Sequence, residues 1–506
     1  MNQRTLSKSK IIAFRQCPKR LWLEVHQPHL RQDSQSTQAI FMTGHKVGEI
    51  AQRLYDPQGR GVYIDLRAEG VVPAIERSTT LLQGDVPIFE AGFIGGGAMA
   101  FADVMLPVEH EGHAAWRMVE VKSSTSIKEY VLDDIALQSF VAKEAGVQLS
   151  GVALAHVDSR WVYPGNNDYQ GLLVEKDLTQ SAFARTEEVR EWIAAAHEVA
   201  EKLLPPDITT GLQCNIPFAC GFSGFCKHSQ EQAEFPLTWL PRIQSLLLKK
   251  YIEEHQVKDM REVPNELLNP LQRRVRDHTI SGECYFDSEG AKLDLTPHQP
   301  PCYFLDFETI QFGVPRWAGT RPFQAIPFQF SLHFLNVQGQ LNHHSFLDLT
   351  GADPSHDFAR RLVRVSGENG PIFVYNSGFE GSLILQLAKR FPDLSTALMS
   401  IHRRLVDLLP IAQSRFYHPS QMGSWSIKKV LPAIAPRFRY DQLPGVQDGD
   451  MAMQAFLEAI ESTTTIGRKQ EIEQQLKIYC ALDTLAMVEI WRKFSGSEVA
   501  SDRLSA

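Results

Sequence analysis

No apolar run in this 506-residue sequence reaches the ~18 residues needed to span a bilayer as a helix, so no integral membrane segment is expected. The stretch Met1 to Lys10 is polar and lacks the apolar core of a secretory signal, which points to a cytoplasmic protein. A basic excess is missing too. Lys and Arg total 51 against 59 Asp and Glu, a net charge of -8. That balance argues against a protein that coats nucleic acid without specificity. It leaves a nuclease open, because metal-binding carboxylates add negative charge at the site itself. Cysteine is sparse at seven residues, and no Cys-x-x-Cys knuckle of the common zinc type is present. In a large cytosolic chain these thiols are expected to be reduced or metal-bound rather than disulfide-bonded. Internal repeats and low-complexity runs are absent, and 43% hydrophobic with 22% charged residues excludes a disordered or collagen-like chain.

The length allows about three domains, and the texture changes twice. Residues 1–236 mix helical and strand patterns and end in a cysteine cluster. Residues 237–299 are helical and charge-rich, with Pro264, Pro270 and Pro297, and read as a helical connector. Pro300-Pro301 disfavours helix on either side and leads into a second α/β region, 300–495, followed by a flexible tail, 496–506. The connector's Arg273, Arg274 and Arg276 read as a solvated basic face. In the first region Ser7 can cap a helix with Ile11, Phe14, Leu21 and Trp22 inward. A second helix is expected from about Gln38 to Leu54, where His45 and Glu49 lie four apart on one face. Strands are expected at Val86–Phe93, Met99–Leu106, Ala115–Lys122 and Gly151–His156, with a helix at Leu132–Ala145 before the last.

The strand ending Glu120-Val121-Lys122 alternates, so Glu120 and Lys122 share one face while Val119 and Val121 enter a core. With Asp103 from the preceding strand, two carboxylates and an ammonium can gather. Such a set suits Mg²⁺ or Mn²⁺, which lowers the pKa of a water and polarises a phosphate. Lys122 can orient that water or neutralise developing charge. His45 can add a ligand, and Gln138 can position the lysine or the substrate. The order His45, Asp103, Glu120-Val121-Lys122, Gln138 resembles the RecB-type branch of the PD-(D/E)XK nucleases. Ala142 stands where that branch often carries a tyrosine.

Cys214, Cys220 and Cys226 share a short loop, and Cys17 can supply a fourth thiolate. Four thiolates suit a [4Fe–4S] cluster or a structural zinc. One distant N-terminal cysteine with a C-terminal trio resembles the iron–sulfur staple of AddB and the CRISPR-associated RecB-type exonucleases.

In the second α/β region, Leu305-Asp306-Phe307-Glu308 is a strand with both carboxylates on one face, able to hold two divalent ions. Tyr479 and Asp483 lie four apart on a later helix. These motifs resemble the tyrosine-bearing form of the DEDD, DnaQ-like and RNase H-like, exonucleases. Phe373 to Glu380 matches that family's middle motif with Glu380 in place of aspartate, and Asp407 is a reserve carboxylate. The resemblance implies that Asp306, Glu308, Glu380 and Asp483 hold the ions and Tyr479 orients the attacking water. Lys428 and Lys429 read as a solvated helix face that could contact phosphates.

The whole arrangement resembles a bacterial family described only as a domain of unknown function. The expectation is therefore an α/β protein: a PD-(D/E)XK restriction-endonuclease-like domain, a helical connector and an RNase H-like exonuclease domain. It is expected to hydrolyse DNA from single-stranded or frayed ends with Mg²⁺ or Mn²⁺ at both sites, in repair or defence. An RNA-trimming enzyme and a catalytically weakened end-binding scaffold are the alternatives.

Overall fold

The computed structural model describes residues 5–228 and 233–497, with backbone alone for residues 35 and 36. It is a mixed α/β protein whose chain divides into two units, Met1–Glu231 with Gln311–Gln324, and Gln232–Ile310 with Ala325–Ala506. The expected tail lies almost wholly outside the described residues. No helix among the described residues is long and apolar enough to cross a membrane.

The first unit carries a seven-stranded sheet: β1 (Leu6–Ser7), β2 (Val62–Tyr63), β3 (Ile88–Gly95), β4 (Ala98–His110), β5 (His113–Lys122), β6 (Leu149–Val157) and β7 (Leu173–Asp177). The spatial order is β2-β3-β4-β5-β6-β7, and β1 pairs parallel with β4. Strands β4 and β5 form a long antiparallel hairpin, while β6 returns parallel to β5 through a helical crossover. Its helices include α1 (Lys8–Gln16), α2 (Pro18–His26), α3 (Gln35–Tyr55), α4 (Glu129–Glu144) and α5 (Thr186–Ala200).

Alternation along β5 sorts the two faces of this sheet. Trp116 and Met118 pack in the main core with Ile135 and Leu137 of α4. Val119 and Val121 pack on the other side, in clusters that include Tyr55, Val47 and Ile50 of α3. The single N-terminal helix expected from Ser7 is instead two. The chain turns extended at Cys17, where φ is -164°, and Pro18 starts α2 at a position where its missing N–H costs nothing.

The second unit holds β8 (Cys302–Gln311), β9 (Ala325–Leu335), β10 (Leu341–Leu347), β11 (Ile372–Val374) and β12 (Leu405–Asp407), in the order β10-β9-β8-β11-β12. Strands β8, β11 and β12 run parallel, so their carboxyl ends open at one edge of the sheet. Helix α6 (Ser377–Arg390) follows β11, α7 (Ile427–Ile434) comes later, and α8 (Ile466–Ser495) closes the unit. Along β8, Leu305 and Phe307 join a core with Phe358 and Ile384. Cys302 and Phe304 join another with Trp491, and the even-numbered Asp306 and Glu308 follow them. Residues 237–299 lie within this unit: Leu248, Val275 and Leu295 share the core of Phe304 and Trp491.

Candidate functional site

In the first unit Asp103 sits one position along β4 from the Val104–Val119 pair, which brings it beside Glu120. Its Oδ2 accepts the Val121 backbone N–H at 2.6 Å. Glu120 is 1% exposed. Its Oε2 accepts the Gln138 amide at 2.5 Å, and its Oε1 accepts Lys122 Nζ at 2.6 Å and Lys8 Nζ at 3.2 Å. Lys8 and Lys122 also reach Asp134, at 3.1 and 2.5 Å.

Asp134 and Gln138 are four apart on α4, and so present to the sheet together. Burial and the Glu120 charge hold the Asp103 carboxyl well above the usual range. Burial opposes the Lys122 ammonium, but Asp134 and Glu120 outweigh it and hold its pKa well above normal. Asp134 is also buried, yet the two lysines depress its pKa.

The neighbouring strand β3 adds a further acid. Phe89 pairs with Val104 and Ala91 with Ala102, which sets Glu90, at φ 59°, opposite Asp103. Burial and Glu120 raise its pKa. His45 is placed differently. It is exposed on α3, the helix that packs on the Val119 and Val121 side of the sheet. Among the described residues it forms no group of three ligands within 4.8 Å with Asp103 and Glu120. Ala142 is fully buried in the core.

The break between α1 and α2 places Cys17 against the cysteine loop. Gln16 Nε2 donates to the carbonyls of Gln213 and Phe218, both at 2.7 Å, and Cys220 N–H closes the loop onto Cys214 O at 2.8 Å. Burial pushes up the thiols of Cys220 and Cys226, and Cys17 and Cys214 lie near enough to add to both shifts. No three of the four sulfurs lie within 4.8 Å of one another. A tetrahedral zinc with Zn–S of about 2.3 Å would draw its sulfurs to roughly 3.8 Å. A cubane cluster holds its thiolates on separate irons, further apart.

In the second unit, Asp306, Glu308 and Cys480 each bring a ligand atom within 4.8 Å of the others, the one such group among the described residues. Cys480 donates its thiol to Asp306 Oδ2 at 3.9 Å. Burial, then the charges of Asp483, Glu308 and Glu380, raise the Asp306 carboxyl well above its usual range. Burial and Asp483 do the same to Glu308, against the pull of Lys428.

Glu380 enters from the first turn of α6, 3% exposed. Its Oε2 is buried with no hydrogen-bond partner among the described residues, and burial pushes its carboxyl up to about 8. An orphaned buried carboxylate oxygen facing other acids fits a divalent ion.

Asp483, on α8, accepts the Tyr440 hydroxyl at 2.5 Å. Burial carries it up to about 6, with Tyr440, Lys428 and Tyr479 pulling the other way. Burial and Asp483 keep Tyr479 protonated. Lys428 Nζ hangs 5.1 Å from the centre of the Tyr479 ring. Asp407 is occupied elsewhere: it accepts the backbone amides of Asn376, Ser377 and Leu409 at 2.9–3.0 Å.

Residues 303–426 match the family model described as a domain of unknown function, DUF2779. The DUF2779 match takes in Asp306, Glu308, Glu380 and Asp407 and stops before Tyr479 and Asp483. No curated protein matches the chain.

Several residues join these sites that the motifs did not single out. Asp134 had a legible signal, the i, i+4 spacing to Gln138. Cys480 and Tyr440 had none, because only the packing of α8 brings them to Asp306 and Asp483. Glu90 depends on the β3–β4 register, and Lys8 on the β1–β4 pairing.

Proposed function

We propose that the chain is a metal-dependent nuclease with two active sites that hydrolyses phosphodiester bonds in DNA. In this reading the first unit is a RecB-type PD-(D/E)XK domain and the second an RNase H-like exonuclease of the DEDD type. The observation that carries it is that Asp306, Glu308, Glu380 and Asp483, from separate stretches of chain, come close enough in the second unit for their charges to act on one another. Buried acids whose charges raise one another's pKa destabilise the fold unless cations neutralise them.

Bound Mg²⁺ or Mn²⁺ would lower the pKa of a water and polarise the scissile phosphate. Asp306, Glu308, Glu380 and Asp483 would hold the ions. Tyr479 keeps its proton and can orient the attacking water, Tyr440 fixes the Asp483 rotamer, and Lys428 offers an ammonium to a phosphate. In the first unit Asp103 and Glu120 would hold the ion, Lys122 would face the phosphate or the water, and Gln138 fixes Glu120. Cys17, Cys214, Cys220 and Cys226 would hold a [4Fe–4S] cluster that clamps the N-terminal helices to the end of the first unit.

The test is a time course on end-labelled single-stranded DNA and RNA with Mn²⁺, using wild type, Asp306→Asn and Glu120→Gln. Each substitution should remove one activity and spare the other. RNA cleaved in preference to DNA would change the substrate. Binding to ends without turnover in any metal would replace the enzyme with a scaffold.

A further inference from the structure

Two lysines stand at Glu120, and they reach it by different routes. Lys122 lies on β5, two residues from Glu120, and is its fixed neighbour. Lys8 begins α1 and arrives through the two-residue strand β1, parallel to β4. Each ammonium bridges the same two acids. Lys8 spans Glu120 Oε1 and Asp134 Oδ1 at 3.2 and 3.1 Å, and Lys122 spans Glu120 Oε1 and Asp134 Oδ2 at 2.6 and 2.5 Å.

The four groups close a ring of alternating charge. With Gln138 on Oε2, both oxygens of Glu120 are engaged. The far end of α1 is tethered independently, through Arg15 to Asp133 at 3.3 Å and Gln16 to the cysteine loop. Lys8 can therefore swing on its flexible stem without the helix moving.

We propose that Lys8 is a resident competitor for the divalent cation of the first site. Its ammonium neutralises Glu120 and Asp134 in the ion-free protein, and it must leave Glu120 for that carboxylate to serve an ion. Affinity for the ion is then the difference between two cations' claims on one buried carboxylate. This rests on the reading of Asp103 and Glu120 as ion ligands and adds a positioning residue to that site.

The test is Mn²⁺ binding to the whole 506-residue chain without nucleic acid, followed by paramagnetic resonance of the free ion. An Asp306→Asn background silences the second site. Lys8→Met removes the charge and keeps the stem, and should bind Mn²⁺ about tenfold more tightly or better, because an ammonium in contact with the ligand no longer opposes it. Lys8→Arg should stay near the parent. Unchanged or weaker binding in Lys8→Met overturns the proposal, since a merely structural lysine would leave affinity alone or impair it.

Lys8→Gln is the second neutral variant, with circular dichroism as the folding check. If neither neutral side chain permits folding, the ammonium is a structural requirement and the proposal is wrong. Asp103→Asn must remove the binding being compared, or the ion sits elsewhere and the proposal falls. A chain that cleaves nothing yet shows the Lys8→Met gain would end the nuclease reading alone. An active nuclease with unaltered Lys8→Met affinity would end only this one.

Discussion

Asp407 Oδ2 accepts the backbone amide of Ser377 at 2.9 Å, and this contact locks the start of α6 to the end of β12. Its other oxygen takes the amides of Asn376, held at φ 84°, and of Leu409. Asp407 is thereby spent on holding backbone, whereas Glu380 keeps an oxygen with no partner. Asp407→Ala should cost about 1–3 kcal/mol of stability through lost caps and stranded amides. Glu380→Gln should leave the urea midpoint close to wild type or higher and abolish the second site's Mn²⁺-dependent activity. Denaturation curves set beside digestion assays separate the two.

Acid groups raised by burial give the second unit a definite response to pH. Asp483 rises to about 6 and Glu380 to about 8 in the folded chain, above their unfolded values. Between about pH 4 and 8 the folded state therefore binds more protons than the unfolded state, and stability falls as pH rises. For Asp483 alone the loss, accumulated between about pH 4 and 6, is on the order of 3 kcal/mol. Calorimetry without divalent ions should show the melting temperature of the second unit dropping from pH 5 to 8. Added Mn²⁺ should oppose the drop, because ions compete with those protons. A flat profile without ions would contradict the clustering of these acids.

Tyr440 donates to Asp483 and so favours its ionised form. Tyr440→Phe should move the acidic limb of the second site's pH–rate profile to higher pH. The first site's profile, read in an Asp306→Asn background, should not move.

The cysteine loop is held by Gln16 from the helix that also carries Lys8. Cys17→Ser should yield protein with less iron and sulfide and a lower melting temperature. Anaerobically purified wild type should be brown with a broad visible band, whereas colourless, zinc-rich protein would overturn the iron–sulfur assignment.

Much of the architecture was readable where the physics is local. The period of two along β5 and β8 correctly divides Val119 from Glu120 and Leu305 from Asp306, because in a strand a side chain's face follows from its position. The helix holding Gln138 begins at Glu129 rather than Leu132, a matter of its first turn. The apolar spacing of Ile11 to Trp22 predicts one N-terminal helix because it runs straight through the break at Cys17. His45 shows a different limit. Its spacing on α3 is sound, but which sheet face a helix covers is decided by the crossover, not by the helix's own sequence. Residues 237–299 carry a charged surface that masks the core contacts of Leu248, Val275 and Leu295.

The ring of Lys8, Glu120, Lys122 and Asp134 has a cost for anyone who would toughen this fold. Ion pairs sunk in a protein interior are often less stabilising than greasy side chains of the same bulk. A redesign guided by thermostability alone would be drawn to that quartet, fill it with leucine and methionine, and obtain a sturdier molecule with nothing left there to grip a cation.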